Sequence, residues 1–352
     1  MTTPSLVTIG LPTHNGEKYI ESALAALLAQ DHAELEIVVS DNASTDATPG
    51  IVRDLMARDR RVRYERVDEL VSAAANFNRV FALASGPYFM WAADDDLWDP
   101  SYVGRCLAAL ESDPEAVMAS TGLRFIDPAG DVLESNYARY DNPDLSSRSV
   151  VERVRILMRR GGFYQIYGLA RRDALERTRL FQDMHGPDVV LTLELAMLGP
   201  ILRIPEPLFF YRRYPDRTDA VRDERQGGIR EVADVAATRM THLQEALSDA
   251  VRHSALPAAT KLRLRAEILR AAYVEDTPMR SRTRREVASR AAESWRARDA
   301  GGMVKYTTAV AIDRTKQLVR PGRPRSTGVR RLGGRSKRFA ARVWRRVRPR
   351  AG

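Results

Sequence analysis

The sequence predicts an α/β protein with an open, mostly parallel sheet covered by helices on both faces. Short apolar, β-rich runs alternate with stretches of helical periodicity through the first hundred residues, and this alternation is typical of parallel sheets. The 352 residues, 44% hydrophobic and 29% charged, are enough for one large soluble domain or two modest ones. No window approaches the ~20 uninterrupted apolar residues of a membrane-spanning helix.

The predicted elements follow one another along the chain. The strand signals are short β-rich runs, at residues 6–11, 35–40, 62–64, 87–93, 116–121 and 208–214. The helix signals have apolar residues on one face, at residues 17–30, 74–85, 101–112, 150–159 and 189–199. A further helix, carrying Ile51 and Leu55, is expected to start with Ser44 and Thr45 as N-cap residues. Residues 226–300 are rich in Ala, Arg and Glu, which predicts a helical appendage.

The positive charge of the chain is concentrated at its end. The net charge is +10, yet residues 314–352 contain 15 Lys or Arg and no Asp or Glu, so the preceding residues carry 41 basic and 46 acidic side chains. The amino terminus lacks a basic region followed by an apolar core, so no signal peptide is expected. Cys106 is the single cysteine, which excludes an intrachain disulfide and favours a reducing cytoplasm.

Three predicted strands end in unusual polar groups. They are Pro12-Thr13-His14-Asn15 after the first strand, Ser40-Asp41-Asn42 after the second and Asp94-Asp95-Asp96 after the fourth. Open α/β sheets bind ligands at the carboxyl ends of their strands, and in a parallel sheet these ends lie on one edge. The convergence of the three groups therefore predicts a binding site there.

The turn after the first strand excludes two common nucleotide-binding motifs. A dinucleotide-binding turn needs G-x-G-x-x-G, whereas "LPTHNGEKY" contains one glycine, and a P-loop lysine motif is absent. Phosphate charge must then be managed in another way. A divalent metal held by aspartates is the natural alternative, because hard cations bind carboxylate and phosphate oxygens together.

Four segments, taken in order, resemble the family 2 glycosyltransferases of the GT-A fold. They are "PTHNGEKYIESALAALLAQ", "IVVSDNASTDAT", "AANFNRVFALASGPYFMWAADDDLWDP" and "GPDVVLTLELAMLG", and the resemblance covers roughly residues 5–215. It implies a GT-A domain over 1–215, with a nucleotide-binding half at 1–100 and an acceptor half at 101–215. Residues 216–313 then form the helical appendage, and residues 314–352 form a basic tail.

The resemblance also implies a role for each polar group. The residues expected to bind the nucleotide are Pro12, Thr13, His14, Asn15, Asp41, Asn42, Arg79 and Asp94, with Asp41 at the base and Asp94 at the ribose. Arg79, together with Arg212 or Arg213, is a candidate for positive charge near the phosphates on chemical grounds alone. Asp95 is the expected ligand of a Mg²⁺ or Mn²⁺ ion that bridges the phosphates, and Asp96 is a second candidate. Asp188 of "HGPDVVL" occupies the position of the catalytic base.

These roles imply transfer of one sugar from a nucleotide-sugar donor to an acceptor hydroxyl. The metal stabilises the leaving diphosphate as a Lewis acid, and a single base on the opposite face of the sugar suits inversion. The Q/R-x-x-R-W motif of processive polysaccharide synthases is missing, which favours single-sugar addition. The implied acceptor is a glycan or a lipid-linked molecule, in the synthesis of cell-surface polysaccharide or glycolipid.

Two positions depart from the family pattern. His14 stands where many relatives carry Tyr, but it still offers a flat ring for stacking. Tyr214 stands where relatives often have a histidine before proline, so a phosphate or metal contact from this last loop is left open.

The basic tail has two interpretations. Residues 329–347 place Leu332, Phe339 and Val343 on roughly one face among arginines, so the segment is either an amphipathic helix on an anionic membrane or a disordered, solubilising tail. A cytoplasmic enzyme at the inner face of the cell membrane would suit a lipid-linked acceptor. Nucleic-acid binding is not expected, because no reader motif accompanies the charge.

Two rival functions remain for the same sequence. A sugar nucleotidyltransferase would need a Gly-rich basic signature directly after the first strand, which "PTHNGEKY" does not provide. A non-catalytic, transferase-like scaffold would keep the fold without binding nucleotide. Nucleotide-dependent stabilisation discriminates the scaffold from an enzyme.

Overall fold

The computed structural model describes residues 5–133, 141–160, 163–214 and 239–273. The strands of these residues are β1 Val7–Thr13, β2 Leu35–Asn42, β3 Val62–Val67, β4 Tyr88–Trp91, β5 Leu97–Trp98, β6 Met118–Ile126, β7 Leu169–Arg171 and β8 Ile201–Arg212. The helices are α1 Ile20–Leu28, α2 Thr48–Arg58, α3 Ala73–Ala82, α4 Tyr102–Ser112, α5 Val150–Arg160, α6 Arg172–Glu176, α7 Pro187–Leu198, α8 Arg239–His253 and α9 Ala258–Tyr273, with a 3₁₀ helix at Tyr164–Tyr167.

The strands form one mixed sheet in the order β3-β2-β1-β4-β7-β6-β8-β5. Strands β1 to β4 pair in parallel, as do β6 and β8, whereas β7 and β5 run antiparallel to their neighbours. All seven positions of β1 are buried, as expected for a parallel strand covered on both faces. The prediction of an open, mostly parallel sheet is confirmed.

Two apolar cores lie on the opposite faces of this sheet. Alternate side chains of β4 point to opposite sides, so Met90 joins the core beneath α1 and α4 while Phe89 and Trp91 join the core beneath α3, α5 and α7. Cys106 is a buried member of the first of these cores. Helices therefore cover both faces, as predicted.

Helices α8 and α9 extend the second core. Leu247 and Ile268 are fully buried in it, and the two helices pack against α7 and α5 respectively. The Arg179 guanidinium links α7 to α8, because it pairs with Glu194 of α7 at 2.5 Å and with Asp249 of α8 at 2.9 Å. The boundaries of the appendage at 216 and 313 stay a prediction, and residues 314–352, with the segment 329–347, lie outside the described residues.

Two local predictions are wrong. Helix α2 begins at Thr48 behind Ala47, not at Ser44 or Thr45, because those two residues bond instead to the loop that follows β1. Strand β8 is also longer than the predicted 208–214. It runs through Pro205 and Pro207, which fall where the register with β6 shifts at Gly122, so neither proline interrupts a required hydrogen bond.

The carboxylate of Glu36, on β2, links residues near the amino ends of β1, β3 and β4. The Glu36 carboxylate accepts hydrogen bonds from Thr8 Oγ1 at 2.7 Å and Ser85 Oγ at 2.6 Å, and it pairs with Arg63. Burial alone would raise the pKa of Glu36, but these hydrogen bonds outweigh it and lower the pKa. In the described ranges no helix is long and apolar enough to cross a bilayer.

Candidate active site

The three polar strand ends meet at one edge of the sheet. The parallel register places Thr13 beside Asp41, and the main-chain N–H of Ala92 donates to the Gly10 carbonyl, which aligns β4 with the same edge. The Thr13 hydroxyl then donates to Asp94 Oδ2 at 2.5 Å across 81 residues of sequence. The juxtaposition predicted from the sequence is therefore present.

The loop after β1 has a conformation set by two residues. Asn15 adopts φ +52°, a left-handed conformation that asparagine tolerates, and its side-chain oxygen accepts the Thr45 N–H at 2.9 Å. A Cβ on Gly16 would lie 2.5 Å from Asp94 Oδ2 and 2.6 Å from Thr13 Oγ1. The close approach of the acidic segment to this loop therefore requires glycine at position 16.

The ring of His14 is held at both nitrogens. Its Nδ1 lies 2.6 Å from the Asn42 carbonyl oxygen, which can only accept, so Nδ1 donates. Its Nε2 then accepts from the Asn15 amide at 3.2 Å, which corresponds to the neutral imidazole. The half-exposed ring is thereby fixed at the edge of the sheet next to the buried Pro12.

Asp41 and Asn42 are more deeply engaged in the protein than the sequence suggests. The Asp41 carboxylate is 0% exposed and accepts from the Ser44 N–H at 2.8 Å and the Tyr64 hydroxyl at 2.5 Å. Burial and this bond raise the pKa of Tyr64. The Asn42 side chain makes paired 2.9 Å hydrogen bonds with the main chain of Val71. Base contact by Asp41 remains a prediction, and it requires the Tyr64 hydroxyl to move aside.

Two polar side chains of α3, those of Asn76 and Arg79, form hydrogen bonds with Ser40 near the carboxyl end of β2. Asn76, which the sequence patterns did not single out, is 3% exposed and bonds both the hydroxyl and the carbonyl of Ser40, at 2.6 and 3.0 Å. Arg79 donates to Ser40 Oγ at 2.7 Å and lies 3.8 Å from Glu65. A buried amide among the apolar residues of α3 is the sequence signal that would have found Asn76.

The acidic segment is tied to the end of β8 by Arg212. The Arg212 main-chain N–H donates to Asp96 Oδ1 at 2.8 Å, and Nε donates to the Asp95 carbonyl at 2.7 Å. Its Nη1 reaches the carbonyls of Asp127 and Pro128, and the guanidinium lies 4.5 Å from the centre of the Tyr19 ring. Arg212 thus positions the acids through the main chain.

Tyr214, in the loop that follows β8, contacts Asp95, the expected metal ligand. The Tyr214 hydroxyl donates to Asp95 Oδ2 at 2.9 Å, and its ring lies edge-on to Tyr19 with the centroids 6.0 Å apart. Tyr214 thus contacts the carboxylate that is the expected metal ligand, and a direct contact from this loop to phosphate or metal stays open.

The acidic residues fit a divalent cation shared with a diphosphate. Such an ion needs one or two protein carboxylates and takes its other ligands from phosphates and water, so a cluster of three or more ligating side chains is not required, and none occurs among residues 5–133, 141–160, 163–214 and 239–273. Asp95 is half-buried at the edge, whereas Asp96 is 1% exposed. Burial, and then the charge of Asp95, raise the pKa of Asp96 well above its ordinary value. Asp95 is therefore the better candidate ligand.

Asp188 lies at the start of α7. It is half-buried in the first turn, where the positive end of the helix dipole favours a negative charge. The pKa of Tyr167, which the sequence did not indicate, is raised well above its ordinary value by burial, then by Tyr211 and by the charges of Asp96, Asp95 and Asp188. The role of Asp188 as the catalytic base stays a prediction.

A separate cavity of about 720 Å³ lies at the opposite edge of the sheet, at the amino ends of β6 and β8. Its buried arginine, Arg153, donates to the carbonyls of Ala196 and Ser147, each at 2.7 Å, which are structural contacts. None of the residues predicted for the site lines this cavity.

Comparison with known proteins agrees with this arrangement. The model of the family described as glycosyl transferase family 2 matches residues 8–177, which include the three polar strand ends. This part of the chain belongs to glycosyl transferase family 2. Asp188 lies just beyond the matched residues.

The relatives of this chain are distant in sequence. An uncharacterised protein of Mycobacterium tuberculosis is 28% identical over 213 residues, which are 60% of this chain and 58% of that protein. The chondroitin synthase of Escherichia coli is 28% identical over 158 residues, 44% of this chain and 23% of the synthase. The chain thus spans less than two thirds of the length of these relatives.

Solved structures show the fold of this chain. S. aureus TarS 1–349 in complex with UDP-GlcNAc superposes with a TM-score of 0.59 at 16% identity, over 76% of this chain and 72% of that one. The mannosyltransferase PcManGT from Pyrobaculum calidifontis, in complex with GDP-Man and Mn²⁺, gives 0.52 at 20% identity, over 90% and 84%. At these identities the likeness shows the GT-A fold alone.

Proposed function

We propose that this protein is a metal-dependent glycosyltransferase that moves one sugar from a nucleotide-sugar donor to an acceptor hydroxyl, with inversion. The observation that carries the proposal is the meeting of Thr13, Asp94 and Asp95 at the carboxyl edge of the sheet, within a family 2 chain. This is where open α/β sheets bind ligands. The structural neighbours that bind UDP-GlcNAc or GDP-Man and Mn²⁺ support the class of donor and of cofactor.

Different residues at the carboxyl edge of the sheet bind different parts of the donor in this proposal. His14 offers its ring to the base, which Asp41 can meet once Tyr64 moves, and the Thr13–Asp94 pair faces the ribose. Asp95, held by Tyr214 and Arg212, would hold the divalent cation. When bound, that cation would stabilise the negative charge that develops on the leaving diphosphate.

Asp188 completes the proposed chemistry. The acceptor hydroxyl loses its proton to the Asp188 carboxylate while its oxygen forms a bond to the anomeric carbon of the donor. The bond between that carbon and the phosphate oxygen breaks, and the nucleoside diphosphate leaves with the electron pair. Attack from the face opposite the leaving group inverts the anomeric centre.

Nucleotide-dependent thermal stabilisation tests the donor assignment. UDP, GDP and dTDP are compared with and without Mn²⁺, and at least one should raise the unfolding temperature more strongly with the metal. Asp95→Ala should lose the metal-dependent part, whereas Asp54→Ala, on the exposed face of α2, should keep it. Absence of a shift with every nucleotide would contradict the enzyme proposal and favour a scaffold.

Substitution of Asp188 tests the base assignment. Asp188→Asn should keep donor binding but lose transfer, because the amide cannot accept the proton. Asp183→Asn, five residues upstream and exposed, is the matched control and should keep both. Transfer by Asp188→Asn at the wild-type rate would show that Asp188 is not the base. Release of pyrophosphate in place of nucleoside diphosphate would instead indicate a nucleotidyltransferase.

Membrane contact by the basic tail is a separate proposal that rests on the sequence. Each Lys or Arg near an anionic surface contributes about 1 kcal/mol, and residues 329–347 contain several. Truncation after Asp313 should reduce cofractionation with membranes and leave donor hydrolysis intact. Unchanged cofractionation would remove the basis for a membrane-bound acceptor.

A further inference from the structure

The cavity of about 720 Å³ at the amino ends of β6 and β8 has a positively charged lining. Its arginines lie before and within α5, at the end of β7 and directly after α6, and they are Arg148, Arg153, Arg171 and Arg177. The carboxylates of the lining are those of Glu115 and Asp173. We call this space the arginine cavity. An excess of positive charge in a concave site attracts anions.

The carboxylates near the cavity are largely taken up by one arginine. Arg148 pairs with Glu115 at 2.6 Å and with Asp113 at 3.0 Å. In the part of the chain that the structure describes, no ion pair is formed by the other three, Arg153, Arg171 and Arg177. The lining carboxylate that remains to face them is the exposed Asp173.

Arg153 is the buried cation of the arginine cavity. It is 4% exposed, because it lies on the face of α5 that also buries Val154 and Leu157. Its Nε donates to the Ala196 carbonyl in the last turn of α7, where the helix dipole favours a cation, and its Nη1 donates to the Ser147 carbonyl. The other terminal nitrogen, Nη2, forms no hydrogen bond to the described residues and is not enclosed by them. Its N–H donors are therefore available to a ligand in the cavity.

The environment of Arg153 is unfavourable for its charge when the cavity is empty. Burial, and then the charge of Arg148, lower the pKa of Arg153. A buried charge is stabilised when an opposite charge and further hydrogen bonds accompany it. An anion in the arginine cavity would supply both to Arg153.

Arg171 and Arg177 add one fixed cation and one exposed cation to the lining. The Arg171 guanidinium donates to the carbonyls of Ala116 and Leu110 at 2.9 and 2.7 Å and to the Tyr88 hydroxyl at 3.1 Å. These acceptors are neutral, so they hold the group in place and leave its charge uncompensated. Arg177 is exposed, and its side chain forms no hydrogen bond within the described segments. It can therefore adjust to a bound molecule.

We propose that the arginine cavity binds a small phosphate-bearing anion, either inorganic phosphate or a phosphate monoester. A tetrahedral phosphate accepts hydrogen bonds from several directions, which suits arginines of different segments, whereas a planar carboxylate is satisfied by a single fork. The volume lies within the range of small-molecule sites. The cavity is at the edge of the sheet opposite Thr13, Asp94 and Asp95, so it is not where the donor phosphates would bind. The inference is therefore independent of the proposed function.

Isothermal titration calorimetry on the full chain tests the site. Inorganic phosphate and glycerol 3-phosphate are titrated with a metal chelator and a fixed chloride concentration, which suppresses loose association with exposed cations. At least one should bind. Arg177→Ala should weaken that binding roughly fivefold and Arg153→Met at least about tenfold, because each removes charge-assisted hydrogen bonds. Asp173→Asn should strengthen it about twofold, because a repelling charge is removed.

Two arginines outside the cavity provide matched controls. Arg58 is exposed at the end of α2, as Arg177 is after α6, and Arg79 is the candidate for charge near the donor phosphates. Arg58→Ala and Arg79→Ala should both leave the phosphate affinity unchanged. If circular dichroism shows that Arg153→Met does not fold, Arg177→Ala and Asp173→Asn decide the test, because both of these residues are exposed.

The possible outcomes separate this site from other contacts with anions. Absence of binding by both phosphates overturns the proposal. Binding that Arg177→Ala and Asp173→Asn leave unchanged also overturns it, because the phosphate then lies elsewhere, as on the basic residues 314–352. An equal loss in Arg58→Ala would show that net charge alone attracts the anion, and an equal loss in Arg79→Ala would place it at the donor site. Either result overturns the proposal and leaves the proposed function standing.

Discussion

Replacement of Arg212 by methionine should destabilise the protein and loosen the acidic segment. The guanidinium donates to three carbonyls, those of Asp95, Asp127 and Pro128, at 2.7, 2.9 and 3.1 Å, and lies over the Tyr19 ring. Methionine keeps much of the apolar stem but none of these interactions. The main-chain bond from residue 212 to Asp96 is not removed.

The size of the effect follows from these contacts. Each hydrogen bond contributes about 1 kcal/mol net, so the three together contribute about 3 kcal/mol. The interaction with the ring adds about 1 kcal/mol. Removal of a buried charge recovers part of this, because Arg212 is only 5% exposed and its guanidinium lost hydration on folding. We therefore expect Arg212→Met to lower the free energy of unfolding by about 3 kcal/mol.

Urea denaturation measures this loss as a lower midpoint at an unchanged slope. Arg212→Lys should recover less than half of it, because an ammonium cannot reproduce the planar fork. Arg105→Met is the matched control: its ion pair with Glu206 is 2.6 Å long but 52% and 48% exposed, so the loss should stay below about 1 kcal/mol. If Arg212→Met lay within about 0.5 kcal/mol of the wild type, the role assigned to Arg212 would be wrong.

Three further substitutions probe single contacts. Tyr214→Phe removes the hydrogen bond to Asp95 and should weaken Mn²⁺ binding to the nucleotide-loaded protein about tenfold. The EPR signal of free Mn²⁺ measures this affinity, and an unchanged affinity would show that the Tyr214 hydroxyl does not support Asp95 as a metal ligand. Asp96→Asn should leave that affinity within about threefold, because burial and the charge of Asp95 raise the pKa of Asp96 and so disfavour the charged form that a metal ligand needs, and loss of binding would identify Asp96 as a ligand. Glu36→Gln should be less stable than the wild type above pH 4.5, the ordinary pKa of Glu36. The difference in free energy of unfolding should shrink as the pH falls through the lowered pKa of Glu36 in the folded protein. A difference that does not depend on pH would contradict the role assigned to the Glu36 carboxylate.

The edge of the sheet was predictable because its signals are local. Each apolar run that ends in a polar group marks a strand end, and parallel topology brings such ends together, as the Thr13–Asp94 hydrogen bond shows. The strands β5 and β7 were not predicted because two or three residues are too short for a period-2 pattern to appear.

The contacts that were missed depend on register between distant segments. Nothing near Asp41 in sequence indicates that Tyr64, 23 residues later, donates to its carboxylate. The hydrogen bond from Tyr214 to Asp95 joins residues 119 positions apart. Tyr214 stands where the family resemblance leads one to expect a histidine, and the two side chains differ in length. Which of two polar residues meets a given carboxylate is decided by packing, and a single sequence does not reveal it.

The fold also explains how three consecutive aspartates are tolerated. Two charges about 5 Å apart cost on the order of 3 kcal/mol at an effective dielectric of ~20, so three ionised neighbours would repel strongly. Asp94 accepts the Thr13 hydroxyl, and Asp96 is buried beneath Arg212 with a raised pKa, which favours its neutral form. Asp94 and Asp95 lie at the edge of the sheet, where Asp95 accepts a hydrogen bond from the Tyr214 hydroxyl. A cation bound at Asp95 would relieve the repulsion that remains, so the acidic segment favours one metal through Asp95 over a site shared equally with Asp96.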